Sequence, residues 1–86
     1  MKPVLMFILP TCPHCINAFA LLDELKAANP AYAEVAVEVV DESAEPDRAE
    51  RYDYYYVPTF YVGGVKRHEG VPTREAVEAV LRDAVS

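Results

Sequence analysis

The strongest constraint on the fold is a pair of cysteines placed where an apolar stretch of the chain gives way to a helix. Cys12 and Cys15 are the only cysteines among the 86 residues, and they follow the apolar run over residues 4–9. A C-x-x-C pair between a strand and a helix is typical of a redox-active dithiol. The N-terminus of a helix offers free N–H groups and the positive end of the helix dipole. Both stabilise a thiolate, which is the nucleophile in disulfide exchange.

Charge and composition narrow the range of partners. Fourteen acidic residues against eight basic ones give a formal net charge of −6, and 52% of the residues are hydrophobic. Because no Lys/Arg cluster is present to neutralise phosphates, we expect no nucleic-acid partner, and the charge also disfavours an anionic membrane surface. The acidic surface and small size favour a monomer. We expect the cytoplasm as the compartment, where thiols are kept reduced.

The first half of the chain predicts a strand, a helix and a second strand. Residues 1–9 predict a buried strand, since this apolar stretch is too short to span a bilayer and no small-residue cleavage site follows it. A helix follows, with Pro13 in its first turn, and Asn29-Pro30 is expected to end it. Its apolar stripe comprises Cys15, Ile16, Ala18, Phe19, Leu21, Leu22 and Leu25. The second strand is predicted from the alternation of Ala33, Val35, Val37 and Val39 with more polar residues.

The second half predicts a short helix, a hairpin and a final helix. Pro46 opens the short helix, and Gly63-Gly64 between two strands is a hairpin signal. Thr73 is the expected N-cap of the last helix. The predicted order is therefore β-α-β-α-β-β-α, an α/β fold in a single domain over residues 1–86. The first two strands should pair in parallel through a right-handed crossover, and the hairpin should complete a four-stranded mixed sheet flanked by helices on both faces.

Three motifs in this order resemble the thioredoxin fold family, and its small glutaredoxin-like members most closely. They are C-P-H-C at residues 12–15, V-P-T at 57–59 and G-G at 63–64. The resemblance covers essentially the whole chain and implies a thioredoxin fold with thiol–disulfide oxidoreductase activity. It implies no metal and no cofactor apart from a redox-active Cys12–Cys15 disulfide.

The resemblance also implies catalytic roles for the four residues of the first motif. Cys12 would be the attacking nucleophile, and Cys15 would be the buried resolving thiol one turn inside the helix. Pro13 holds the first helical turn. His14 would stabilise the thiolate of Cys12 and make the disulfide a better oxidant, with an expected potential of roughly −200 to −230 mV.

Substrate binding is expected around the second motif. The resemblance implies that Pro58 follows a cis peptide bond and faces the cysteines. The main-chain N–H and C=O of Val57 would then face outward and pair with an extended substrate as an added strand does. Thr11, Tyr56 and Thr59 complete the expected substrate-binding set. The tyrosines at 52, 54–56 and 61 are expected mainly to pack against the sheet, with one or two of residues 54–56 lining the groove.

Two classes of function remain open from the sequence. In the first, the protein reduces protein or mixed disulfides by a two-cysteine relay, with electrons from a thiol reductase such as thioredoxin reductase, or from glutathione. The net direction, reduction or oxidation, is not determined by the motif. In the second, the chain is a non-catalytic thioredoxin-fold binding module, or a glutaredoxin-like protein that binds a metal or an iron–sulfur cluster.

Overall fold

The chain forms the strands and helices that its hydrophobic pattern predicts, with one addition. A computed structural model describes all residues, 1–86. The elements in chain order are β1 (Val4–Ile8), α1 (Pro13–Ala28), α2 (Pro30–Ala33), β2 (Val37–Asp41), α3 (Pro46–Ala49), β3 (Thr59–Val62), β4 (Val65–Glu69) and α4 (Arg74–Val85). The predicted order is confirmed, with α2 inserted between the first helix and the second strand. None of the helices combines the length and the apolar character needed to cross a membrane.

The additional helix α2 corrects the expected start of the second strand. Pro30 does follow the end of α1, but it also occupies the first position of α2, where its missing N–H costs nothing. The side chain of Asn29 caps this turn by accepting a hydrogen bond of 3.0 Å from the N–H of Ala31. Ala33 is therefore helical, and β2 begins only at Val37.

The four strands form one mixed sheet in the order β2-β1-β3-β4. The central strand β1 pairs in parallel with β2 and antiparallel with β3, and β3 pairs antiparallel with β4. This confirms the predicted pairing. Because β1 is central, the loop that leaves its carboxyl end emerges from the middle of the sheet, which is where the two cysteines lie.

The larger part of the core lies between one face of the sheet and helices α1, α2 and α4. The buried residues of α1 are Cys15, Ala18, Leu22 and Leu25, and those of α4 are Val77, Val80, Leu81 and Ala84. Ile16 is the exception to the predicted stripe, since 61% of its surface is exposed. Each residue turns a helix by about 100°, so the side chain after Cys15 projects away from the buried face.

The opposite face of the sheet is covered by α3 and by aromatic side chains. Phe7 is fully buried there with Val40, Ala49 and Tyr61. Tyr52 and Tyr54 also pack on Phe7, each with a ring-centroid distance of 4.8 Å. The expectation that most of the tyrosines pack against the sheet is confirmed for these three. Tyr55 and Tyr56, by contrast, are exposed.

Candidate active site

The cysteine motif spans the junction between β1 and α1. Cys12 is the N-cap residue of α1, and Pro13 is the first residue of the helix. The carbonyl oxygen of Cys12 accepts hydrogen bonds from the N–H groups of Cys15 at 3.0 Å and Ile16 at 3.2 Å. The N–H of Cys12 donates to the carbonyl oxygen of Leu9 at 3.1 Å. These bonds hold the motif in one conformation and bring Cys15 one turn into the helix, as the sequence predicts.

The two thiols have different environments. Cys12 is half-buried, whereas Cys15 lies in the core with 1% of its surface exposed. An incoming disulfide can therefore reach the sulfur of Cys12 and not that of Cys15. His14 and Thr11, which flank Cys12 on the surface, are both exposed.

The surroundings also separate the acidities of the two thiols. The pKa of Cys12 is lowered chiefly by the main-chain N–H of Cys15, with a further contribution from that of His14, because both stabilise the thiolate. Partial desolvation opposes this lowering. The pKa of Cys15 is raised to about 11, chiefly by burial and to a smaller extent by the neighbouring Cys12 and the charge of Glu42, while a main-chain hydrogen bond at Leu9 opposes the rise. The contribution of His14 thus comes through its main chain.

The loop that precedes β3 carries the second motif. The Val57–Pro58 peptide bond is cis, as the resemblance implies. The carbonyl oxygen of Pro58 accepts a hydrogen bond of 3.0 Å from the N–H of Gly70. Val57 donates and accepts no hydrogen bond within the protein, so its N–H and C=O are free to pair with another chain.

Thr59 lies under this loop rather than on its surface. Its side chain is fully buried, and its hydroxyl donates a hydrogen bond to the carbonyl oxygen of Tyr56. The hydroxyl is consumed within the protein, so Thr59 supports the loop from below. This corrects the expectation that Thr59 contacts a substrate directly.

A groove of about 330 Å³ connects the two motifs. It is lined by His14, Tyr56, Val57, Gly70 and Val71. His14 belongs to the cysteine motif, so the groove adjoins that motif. Val57 contributes its free N–H and C=O groups to the other side of the groove. Of the expected substrate-binding residues, Tyr56 and Val57 therefore do line a groove.

Apolar side chains are exposed around this groove. Tyr56 and Val71 line it and are 69% and 63% exposed, and Ile16, which follows Cys15 in the chain, is also exposed. Tyr55 is 88% exposed but lines a separate hollow beside α3. Sequence reasoning did not assign Ile16 or Val71 to the site. The available signal for Val71 was an apolar residue, between a glycine and a proline, in a turn where polar residues are usual.

His68 supports the turn that carries Val71. It is half-buried, and its Nε2 lies 3.1 Å from the carbonyl oxygens of both Gly70 and Val71. It is therefore more than the exposed strand residue that its position in an edge strand indicates.

No three His, Cys, Asp or Glu side chains are grouped so that they could hold a metal ion.

The difference between the two thiols predicts how alkylation depends on pH. A thiol is alkylated through its thiolate, so a lowered pKa moves the rise in reactivity to lower pH, and a raised pKa moves it to higher pH. We expect iodoacetamide to label Cys12 alone near neutral pH in the reduced protein. Cys15 should react only as the pH approaches 11 or when the protein unfolds. The measurement is the labelling rate of the Cys12→Ser and Cys15→Ser variants across pH. Equal rates at neutral pH would contradict the assignment.

Comparisons with known proteins agree with this architecture. A family model described as Glutaredoxin matches residues 4–66. The thioredoxin of Methanocaldococcus jannaschii is 37% identical over 78 residues, which cover 90% of this chain and 89% of that protein. The solution structure of reduced desulfothioredoxin from Desulfovibrio vulgaris Hildenborough is 26% identical, with a TM-score of 0.68, and the match covers 95% of this chain and 80% of that one. A protein disulfide oxidoreductase from Aeropyrum pernix is 27% identical with a TM-score of 0.65, over 96% of this chain and 37% of that one. The predicted thioredoxin fold is confirmed.

Proposed function

Because this chain belongs to the glutaredoxin family and is a thioredoxin-fold disulfide oxidoreductase, we propose that it reduces protein disulfides or mixed disulfides by a relay through Cys12 and Cys15. The observation that carries the relay is the contrast between the two thiols. Cys12 is accessible and has a lowered pKa, whereas Cys15 is buried in the same helix with its pKa raised to about 11. The relatives named thioredoxin favour this proposal over the alternative of a non-catalytic binding module or a protein that binds a metal or an iron–sulfur cluster.

The relay has two steps. The thiolate of Cys12 attacks one sulfur of the substrate disulfide, the substrate S–S bond breaks, and its second sulfur leaves as a thiolate that takes up a proton. Cys15 then loses its proton and attacks the sulfur of Cys12, which releases the first substrate thiol and forms the Cys12–Cys15 disulfide. Two electrons pass from the dithiol to the substrate, so an external thiol donor must restore the protein.

Substrate binding uses the groove beside the cysteines. The free N–H and C=O of Val57 can pair with an extended segment of the substrate, in the manner of a strand added to a sheet. Such pairing positions the substrate through its main chain and so places no demand on its sequence. Side-chain preference then comes from the groove walls, which include Tyr56 and Val71.

The oxidised protein needs an external thiol donor to regenerate its dithiol. We propose a thiol reductase or glutathione as the donor, with the cytoplasm as the compartment and a monomer as the working form.

His14 is retained in this proposal as a residue that tunes the site. Its main-chain N–H contributes to the lowered pKa of Cys12, and its side chain lines the groove.

A redox titration tests this proposal. The protein would be equilibrated across glutathione redox buffers, quenched with acid and measured by mass spectrometry. We expect a loss of two protons at a midpoint of roughly −200 to −230 mV, because the stabilised Cys12 thiolate favours the reduced form. A midpoint near the thioredoxin value of about −270 mV would contradict the expected tuning. A persistent dithiol, a retained metal or glutathione adducts alone would contradict the relay itself.

A further inference from the structure

The carboxylate of Glu69 accepts hydrogen bonds from the chain segment that forms one wall of the groove. One of its oxygens, Oε2, accepts hydrogen bonds from the N–H groups of both Tyr55 and Tyr56, the latter at 3.0 Å. The other, Oε1, lies 2.7 Å from the Nζ of Lys66. A single side chain thus ties down two consecutive peptide groups thirteen and fourteen residues earlier in the chain.

The position of Glu69 in the sheet explains why it reaches this segment. It is the last residue of β4 and lies opposite Thr59, the first residue of β3. The carboxylate therefore lies beside the chain that enters β3 through Val57. Lys66 extends the anchor, because its Nζ also donates to the carbonyl oxygen of Asp53 at 3.1 Å.

The anchor holds in place two side chains that contribute nothing to the core. Tyr55 and Tyr56 are among the most exposed large side chains of the protein, whereas Tyr54 next to them packs on Phe7. The entropy cost of ordering two residues that bury little apolar surface must be offset by other interactions, and charge-assisted hydrogen bonds to a carboxylate are suited to this. The structure therefore fixes the main chain of two exposed tyrosines, of which Tyr56 lines the groove beside the cysteine motif.

We propose that Glu69 is a positioning residue for substrate specificity, because it holds the main chain that presents Tyr56 as a wall of the groove, against which an aromatic or aliphatic side chain of a peptide disulfide packs. The inference rests on the proposed function and names the substrate class of that site. The bound segment is the stretch of a polypeptide that flanks its disulfide.

The charge distribution supports an uncharged binding partner. The groove is lined by one histidine, one tyrosine, two valines and one glycine. His14 is therefore its only side chain that can carry a charge near neutral pH. The charge of Glu69, which is hydrogen-bonded to the main chain of Tyr56, is satisfied by Lys66 and two N–H groups, and these lower its pKa to about 2, with Lys66 contributing most. The carboxylate thus stays ionised, and the anchor intact, throughout the neutral range. In a chain of net charge −6, an acidic substrate segment is repelled while an apolar one finds exposed rings.

The test compares two peptide disulfides that differ only in phenylalanine or serine beside the cysteine, with hydroxyethyl disulfide as a small third substrate. The variants are Glu69→Gln, which retains an acceptor oxygen but no charge, and Glu69→Ala, which removes the anchor. Asp23→Asn is the control, because it removes the same charge from an exposed position of α1 whose side chain makes no hydrogen bond or ion pair.

We expect the wild-type protein to reduce the phenylalanine peptide with the lower KM. Glu69→Ala should raise that KM about fivefold, the size expected for a lost aromatic contact. The KM of Glu69→Gln should lie between those of the wild type and Glu69→Ala. For Glu69→Ala, kcat with each substrate and the KM values for the serine peptide and hydroxyethyl disulfide should stay within about twofold of the wild-type values. Asp23→Asn should behave as the wild type. Circular dichroism would establish that each variant is folded.

A second variant keeps the inference testable if Glu69→Ala does not fold. Tyr56→Ala removes one ring and leaves the carboxylate in place, and it should abolish the preference for phenylalanine in the same way. Adding Glu69→Gln to Tyr56→Ala should then change the preference little, since both act on one contact. An unchanged preference in every variant, or equal KM increases for both peptides, would overturn the inference. A wild-type protein that reduces no disulfide through Cys12 would instead overturn the proposed function.

Discussion

Replacing Cys15 with serine is expected to turn the protein into a covalent trap for its substrates. Cys12 keeps its position at the N-cap of α1 and its accessible sulfur, so the first attack proceeds. The mixed disulfide then persists because no second thiol lies within the helix to resolve it. Turnover of a protein disulfide should fall by about three orders of magnitude or more, as is usual when a covalent relay loses a member. Non-reducing gels and mass spectrometry would detect adducts that reductant removes.

The matched control is Cys12→Ser. It should lose turnover to the same extent but form no adducts, because the remaining thiol at Cys15 is buried and keeps its proton near neutral pH. Adducts formed equally by both variants would mean that the two thiols are interchangeable, and the assigned order of attack would then be wrong. Turnover that survives the loss of Cys12 would remove the cysteine motif from the reaction altogether.

Replacing Phe7 with alanine is expected to lower the free energy of unfolding by about 3–5 kcal/mol, the usual cost of truncating a buried aromatic ring. Phe7 is fully buried in the central strand, and the rings of Tyr52, Tyr54 and Tyr61 all lie within 5.8 Å of its own. The loss would leave a cavity and remove these aromatic contacts together. Urea unfolding followed by circular dichroism measures the change.

Ile16→Ala is the control for this loss. It also truncates a large apolar side chain, but one that is exposed beside the cysteines. Its effect on the free energy of unfolding should stay within about 0.5 kcal/mol, as for most surface substitutions. If both variants lost the same stability, the aromatic face of the sheet would not be the part of the core that the structure indicates. Phe7→Leu offers a milder step should the alanine variant fail to fold.

The cysteine site could be predicted closely because its determinants are local. An apolar strand, two cysteines separated by two residues and a proline at the first helical position specify where α1 begins, and the thiolate-stabilising N–H groups follow from that start. The hairpin could be predicted from the sequence equally well. Gly63 and Gly64 both adopt positive φ, of 56° and 84°, a conformation that other residues rarely take. The cis bond before Pro58 was reached by resemblance and not from local signals, since most such bonds are trans.

The exposure of individual side chains could not be predicted in the same way. Ile16 lies at the margin of the apolar stripe of α1, about 100° around the helix from Cys15, and the neighbouring elements do not extend over that margin. Val39 matches the alternation of β2 and yet is 40% exposed, while Val40 beside it is fully buried on the aromatic face. Periodicity states which residues share a face. It does not state how far the neighbouring elements extend over it.

The sequence by itself therefore determined the order of the elements, the fold class and the two reactive sulfurs, since each depends on residues close together along the chain. Only the tertiary structure decided how completely Cys15 is buried, that Thr59 lies beneath its loop, and that Glu69 reaches Tyr55 and Tyr56. The physical reason is that desolvation and hydrogen bonds across the sheet depend on distances between residues far apart in sequence. Those distances exist only once the strands have paired and the helices have packed against them.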